Sequence, residues 1–315
     1  MRRTANVDMI VPIVDGTPQV PGPLTLRASA RDLLTTEDGH STVAEASMRA
    51  EVSKERRLQE IVMTPEAAPS ELRDAFVGPG YRNIAIQARP DWMGTLDGML
   101  LLDLPGCALI SGFIRRKQEM DLPASQSVPG HPMRMRMANI CSGWREGGFA
   151  LSRSESRNAP PDHECPPALS LATDDPLAYH DMEPLGPQQM RRLRRIDITA
   201  QADGLALDAY HRDTYAELDG TEIVVHEYTV TGRVHPKTFE LEELEAVARV
   251  LPFPECSLAT ETATRFIGIS TENAISGILE RLRGIHGCTH LSDLLSNFVG
   301  IPRMAQFLRS DRRGY

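Results

Sequence analysis

Between Arg195 and Val250 apolar and polar residues alternate with a period of two, the spacing of half-buried strands. Arg195 to Ala200 and Gly204 to Arg212 read as paired strands, and Ile223 to Val234 is rich in β-branched residues. Asp219-Gly220 supplies the turn between them. A fourth strand, Leu241 to Arg249, ends at Leu251-Pro252-Phe253-Pro254, whose prolines cannot donate to a ladder. After Cys256 the period changes. Leu258 to Phe266 and Glu272 to Leu282 read as helices, the second with Ile275, Ile278, Leu279 and Leu282 at helical spacing. A last helix opens at Thr289 or His290 and runs through Leu291, Leu294, Leu295 and Phe298. Strands followed by helices predict an α+β unit, with helices against one face of an antiparallel sheet.

The same signals recur earlier in the chain. Met1-Arg2-Arg3-Thr4-Ala5-Asn6-Val7-Asp8-Met9 is answered by Met190-Arg191-Arg192-Leu193-Arg194-Arg195-Ile196-Asp197-Ile198. Leu24-Thr25-Leu26-Arg27-Ala28, Arg31-Asp32 and Asp38-Gly39 are answered, at one constant offset, by Leu205-Ala206-Leu207-Asp208-Ala209, Arg212-Asp213 and Asp219-Gly220. Pro65-Glu66-Ala67 matches Pro254-Glu255-Cys256, and Gly106-Cys107 matches Gly287-Cys288. These matches predict an internal duplication of the sheet-plus-helices unit. They divide the chain into a degenerate N-terminal repeat over 1–113, an insertion over 114–189 and a C-terminal repeat over 190–315. The insertion holds 10 of the 23 prolines and has no sustained periodicity, so it reads as a long, loop-rich cover.

Charge narrows the function classes. With 34 Lys+Arg against 43 Asp+Glu in 315 residues, the net charge of −9 argues against a general nucleic-acid binder. The basic clusters Arg191 to Arg195 and Arg309 to Arg313 lack interleaved aromatics and read as solvated charge. Five cysteines are too few for a stapled secreted scaffold and read as reduced thiols of a cytoplasmic protein. No apolar signal segment follows Met1, and the apolar run Met99 to Ile114 is interrupted by Asp103 and Pro105, which argues against a membrane span.

Candidate chemistry gathers in the second repeat. Cys256 stands opposite Ala67, His290 opposite Leu109, and His226 opposite Ala44 or Glu45. Cys256 precedes a helix, and Cys288 and His290 lie in Gly287-Cys288-Thr289-His290-Leu291 at the start of another. A helix N-terminus lowers a thiol pKa, which suits a nucleophile, a proton carrier or a metal ligand. His226, Cys256, Cys288 and His290 are therefore the catalytic candidates. Cys256, Cys288 and His290 form the alternative metal set, although no C-x-x-C spacing specifies one. Each cysteine also reads as a small core hydrophobe. Arg212 and Asp213 are substrate-binding candidates or a structural ion pair, and Trp144 and Tyr179 are aromatic walls contributed by the insertion. His163-x-Cys165 is too short to specify a site, and Met133, Met135 and Met137 read as one strand face. No phosphate loop, dinucleotide fingerprint, nucleophile elbow or H-E-x-x-H motif is present.

His226-Glu227-Tyr228, Leu251 to Cys256 and Gly287-Cys288-Thr289-His290-Leu291 resemble the signature of a bacterial domain-of-unknown-function family that ends in Gly-Cys-Thr-His-Leu. Ile140-Cys141-Ser142-Gly143-Trp144 and Asp174-Asp175-Pro176 resemble its two-copy branch. The resemblance covers nearly the whole chain and implies an association with catabolism of aromatic and other unusual carbon sources. The order of elements is also similar to that of the IscU and SufE type of iron–sulfur scaffold. Gly287 replaces the histidine of that type's His-Cys pair, and His290 follows Cys288 instead.

Together these readings lead to an expected catabolic enzyme with one site in the C-terminal repeat. It would perform acid/base or thiolate-assisted lyase, decarboxylase or isomerase chemistry on a small carboxylated or aromatic molecule. The alternatives are a metal or iron–sulfur binding protein without turnover, and a structural or partner-binding module. No cofactor is required by the first reading and a metal by the second. A small-molecule substrate is the expected partner, without nucleic acid or membrane, and a homo-oligomer is open.

Overall fold

The computed structural model describes residues 1–14, 17–18, 23–120, 137–154, 165–171 and 175–311. His163, Met133, Met135, Asp174, Arg312 and Arg313 lie outside the described residues. Eight strands form one antiparallel sheet: β1 (Arg2–Ile10), β4 (Leu24–Thr36), β5 (Gly39–Val52), β6 (Leu58–Thr64), β7 (Met190–Ala200), β8 (Leu205–Ala216), β9 (Glu222–Val234) and β10 (Leu241–Val250). Their order is β10-β9-β8-β7-β1-β4-β5-β6. A short hairpin pairs β2 (Ile13–Val14) with β3 (Thr17–Pro18). The fold is α+β, and the strands and helices expected after residue 190 lie where the periodicity places them.

The sheet is continuous across both ends of the chain because β1 pairs with β7, from Arg2 opposite Asp197 to Met9 opposite Met190. Four strands stand on each side of that seam. Arg31-Asp32 lies in β4 and Arg212-Asp213 in β8, each one strand away from it. The Gly106-Cys107 match does not hold in space. Those residues lie inside a helix, whereas Gly287 and Cys288 precede one.

Strand alternation gives the sheet two different faces. On one face cross-strand neighbours form two rows at the seam. One runs His226, Asp213, Arg192, Val7 and Ala28, and the other Tyr228, His211, Arg194, Ala5 and Ala30. The helices cover this face. α2 (Leu96–Ile110) packs on β4 and β5, α5 (Leu258–Ala263) on β10, and α7 (Thr289–Ser296) on β8. Around them lie α1 (Tyr81–Ala88), α3 (Gly112–Met120), α6 (Ala274–Arg281) and α8 (Ile301–Asp311). Two apolar clusters result, one around Leu100, Leu104 and Val7, the other around Ile196, Phe266, Leu294 and Phe298.

α2 is apolar on nearly every side and buried except at the half-buried Pro105 and Leu109, as befits a core helix. Thr95 caps it by accepting from Gly98 N–H at 3.1 Å. The stretch Leu96–Gln118 has the length and hydropathy of a membrane span, yet 72% of its apolar window is buried within the protein. Gly106 admits a close approach from α7: a Cβ there would stand 2.2 Å from Asp293 Oδ2 and 2.6 Å from Arg192 Nη1.

The insertion divides. Cys141 to Ser154, including α4 (Phe149–Ser154), packs near Phe253 and Cys256, and residues 175–182 cross the opposite face of the sheet as a strap. There Arg2 reaches Asp175 at 2.5 Å, and Tyr179 joins Leu193 and Tyr210. His180 accepts from or donates to Thr4, Asn6 and Ser29, each at 2.9 Å. Burial, helped by Arg31 and Arg191, pulls the His180 pKa down to about 4. The unfolded chain therefore holds a proton that the folded chain lacks, and stability falls as pH drops from about 6.5 toward 4. Urea unfolding across that window is expected to show this slope in the native chain and a shallower one in His180→Gln. Equal slopes would show that His180 does not titrate this way.

Candidate functional site

The site grows from three buried arginines. Arg3, Arg192 and Arg194 point into the helix layer and are at most 1% exposed. A charge so placed must be paired. Arg3 grips Asp32 of β4 with two bonds of 2.7 Å. Arg192 grips Asp213 of β8 at 2.8 and 3.1 Å and reaches Asp293 of α7 at 3.0 Å. Arg194 pairs with Asp103 of α2, and Arg82 of α1 closes on Asp293 from above.

Asp213 is also the centre of three histidines. His211, two positions earlier on the same face, donates from Nε2 to Asp213 Oδ2 at 3.3 Å. A β-bulge after Asp213 sets His226 of β9 opposite it, with Nδ1 3.5 Å from the same oxygen. His290, in the first turn of α7, brings Nε2 to 3.6 Å from that oxygen and stacks on His226 with ring centroids 3.7 Å apart. His226 Nδ1 is buried and has no hydrogen-bond partner among the described residues. The ligand-type atoms of Asp213, His226 and His290 all lie within 4.8 Å of one another.

Burial opposes the negative charge of Asp213, but Arg192 and His211 outweigh it and hold the carboxyl well below its usual range. Burial, His226 and Arg192 hold His290 well below the ordinary histidine value, so the ring is neutral. Burial likewise takes His211 down to about 4. An ionised carboxylate beside neutral imidazoles is the protonation state that metal ligation requires.

Next to this cluster lies a sulfur-rich wall. Tyr228 O–H donates to Cys288 Sγ at 3.2 Å, and His290 Nδ1 lies 3.7 Å from that sulfur. Cys256, on the Pro254–Ser257 turn, packs with Phe253, Ala150 and Trp144. Cys141 enters from the insertion through the bond Ser142 N–H to Gly287 O, 2.8 Å. The helix start at Cys288 does not lower its thiol pKa, contrary to expectation. Burial in an apolar surround raises Cys288 and Cys256, and pushes Cys141 up to about 12. No disulfide joins any of the five cysteines.

Of the residues singled out in the sequence, His226, Cys288 and His290 stand together, with Cys256 and Trp144 beside them. Arg212 and Tyr179 do not. Adjacent strand residues face opposite ways, so Arg212 points to the strap side, where it binds Glu227 at 2.6 Å and Leu169 O at 2.7 Å. Tyr179 packs on that same far side. Arg212 and Asp213 are thus not an ion pair with each other. The Arg191 to Arg195 run is not solvated charge either: Arg191, Arg192 and Arg194 are buried, and Arg191 binds Asp8 at 2.6 Å. His211, Arg192, Asp293 and Cys141 were not assigned from the sequence as site members. The spacing of His211 from Asp213, two residues along one strand, was the available signal for the first.

Residues 190–302 match a family model described as "Protein of unknown function (DUF2889)". No curated protein and no solved structure matches the chain.

Asp293 neutralises Arg82 and Arg192 within the core. Asp293→Ala is expected to lose about 3–5 kcal/mol in denaturant unfolding because the arginines stay buried without it. A loss below about 1 kcal/mol would show that they are solvated after all.

Proposed function

We propose that this protein is a cytoplasmic metalloenzyme in which Asp213, His226 and His290 hold one divalent transition-metal ion. The observation that carries the reading is the spacing at Asp213 Oδ2. His226 Nδ1 at 3.5 Å and His290 Nε2 at 3.6 Å are too far for strong hydrogen bonds. They match the edge of a tetrahedron with arms of roughly 2.1 Å, which is about 3.4 Å. The unpartnered His226 Nδ1 supports it, since a buried nitrogen without a partner otherwise costs free energy. So do the outer contacts: His211 and Arg192 fix the carboxylate, and Cys288 faces the remaining nitrogen of His290.

Two histidines and one carboxylate leave coordination positions open for water or substrate. A bound ion supplies Lewis acidity toward a carbonyl or carboxylate oxygen. The chain's own part is to hold protons nearby, on the Tyr228 hydroxyl and the Cys288 thiol. His290, with 12% side-chain exposure, is the edge of the cluster nearest solvent. Lyase or isomerase chemistry on a small carboxylated or aromatic substrate fits this set better than thiolate attack, because burial keeps the thiols protonated. Five cysteines without a disulfide suit a reducing compartment.

Elemental analysis of natively purified protein tests the reading. About one divalent ion per chain is expected, retained in Arg212→Ala, whose side chain lies on the far face. His226→Ala and Asp213→Asn are expected to bind at least tenfold more weakly, in line with the losses that even outer-shell changes produce. Wild-type protein that takes up no ion from zinc, manganese or iron(II) would overturn it.

A further inference from the structure

The strands on the two sides of the seam repeat one pairing register. Arg3 stands opposite Asp32, and Arg192 stands opposite Asp213. Asp32 in turn stands opposite Ala44 and Asp213 opposite His226, and in both hairpins a β-bulge follows the aspartate at once, before Leu33 and before Thr214. Matching Arg3 to Arg192 makes Ala5 the counterpart of Arg194, and those two residues are themselves paired across the seam. A residue paired with its own counterpart marks a local twofold axis, which here passes between Ala5 and Arg194.

The helix layer obeys the same axis. Each arginine that grips the aspartate of its own half lies against a glycine of the other half. Arg192 lies against Gly106 of α2, and Arg3 against Gly300 between α7 and α8, and a Cβ on either glycine would collide with the guanidinium. Arg194 draws Asp103 from α2 as well. Neither half closes by itself, because β1 and β7 would each become an open edge and Arg194 would lose that carboxylate. The halves differ where the chemistry sits: around Asp32, Ala30 takes the place of His211 and Ala44 that of His226.

We infer that the seam is a surface for a second copy of the C-terminal unit and that the N-terminal half fills it in the same chain, as a fused twofold dimer with a lapsed copy of the histidine site at Asp32. The extent of the family match fits this, since residues 190–302 span one unit and not both. Fusion lets the two central positions differ. Two copies of Arg194 would face each other on the axis as like charges, and Ala5 removes one of them. Neither the register nor the reciprocal glycines depend on an ion at Asp213.

Restoring the missing rings in the full-length chain tests this. In crystals of the Ala30→His, Ala44→His double variant, both introduced imidazoles are expected beside the Asp32 carboxylate, as His211 and His226 stand 3.3 and 3.5 Å from one oxygen of Asp213. A folded variant whose new rings turn away from Asp32 overturns the inference. Because imidazoles placed in a core can prevent folding, a second measurement uses no substitution. It takes a natural member of the family that carries the unit once, and reads its mass by sedimentation equilibrium and its interface by crystallography. A dimer is expected, with the strand that matches β7 pairing antiparallel with its own copy across a twofold axis. A monomer, or a dimer joined through any other surface, overturns the inference as well.

Discussion

Burying a guanidinium is among the most expensive things a small core can do, and this core does it three times along one seam. Arg3, Arg192 and Arg194 stand on the helix face of β1 and β7, where water cannot reach them. Each demands a carboxylate, and the carboxylates come from different elements: Asp32 from β4, Asp213 from β8, Asp103 from α2 and Asp293 from α7. The ion pairs therefore dictate how strands and helices dock. Gly106 shows how tightly, since α2 has no room for a methyl group where Asp293 meets Arg192. Such pairs add little net stability over an apolar core, but they penalise any arrangement that leaves one partner behind.

That constraint also creates the site. Once Arg192 has fixed Asp213 as a carboxylate, its second oxygen is a fixed negative point in a dry interior, and His211, His226 and His290 converge on it. A neutral imidazole is tolerated there where a protonated one is not, because the arginines already supply the positive charge. The same low dielectric that lowers the His211 and His290 pKa values keeps the neighbouring thiols protonated. One electrostatic environment thus disfavours both a protonated His290 and free thiolates, which supports the proposed ion over a thiolate nucleophile.

Much of this could be read from the sequence. The period-two runs of β7 to β10 and the helices after Cys256 stand where their patterns put them, because local propensity and burial agree there. His226, Cys288 and His290 were legible as a group because strand and helix starts put them at one end of the same unit. Arg212 and Asp213 read as substrate-binding candidates or a structural ion pair, but a strand turns neighbours to opposite faces, so Asp213 meets Arg192 and Arg212 meets Glu227. Arg191 to Arg195 looked like surface charge because nothing local reveals the acids that meet it, which are distant in sequence. Tyr179 was assigned to the wall of the site, but its segment crosses the back of the sheet to reach β7. Cys141 was seen only as part of a motif, since its neighbours Cys256 and Cys288 are more than a hundred residues away.

The central claim is that the Asp213 oxygen, His226 Nδ1 and His290 Nε2 surround an ion. Anomalous diffraction at the zinc edge, from crystals grown with zinc, tests it most directly. The account predicts a peak about 2.0–2.2 Å from all three atoms. Crystals with no peak there, and the three side chains joined instead by direct or water-mediated hydrogen bonds, would contradict it.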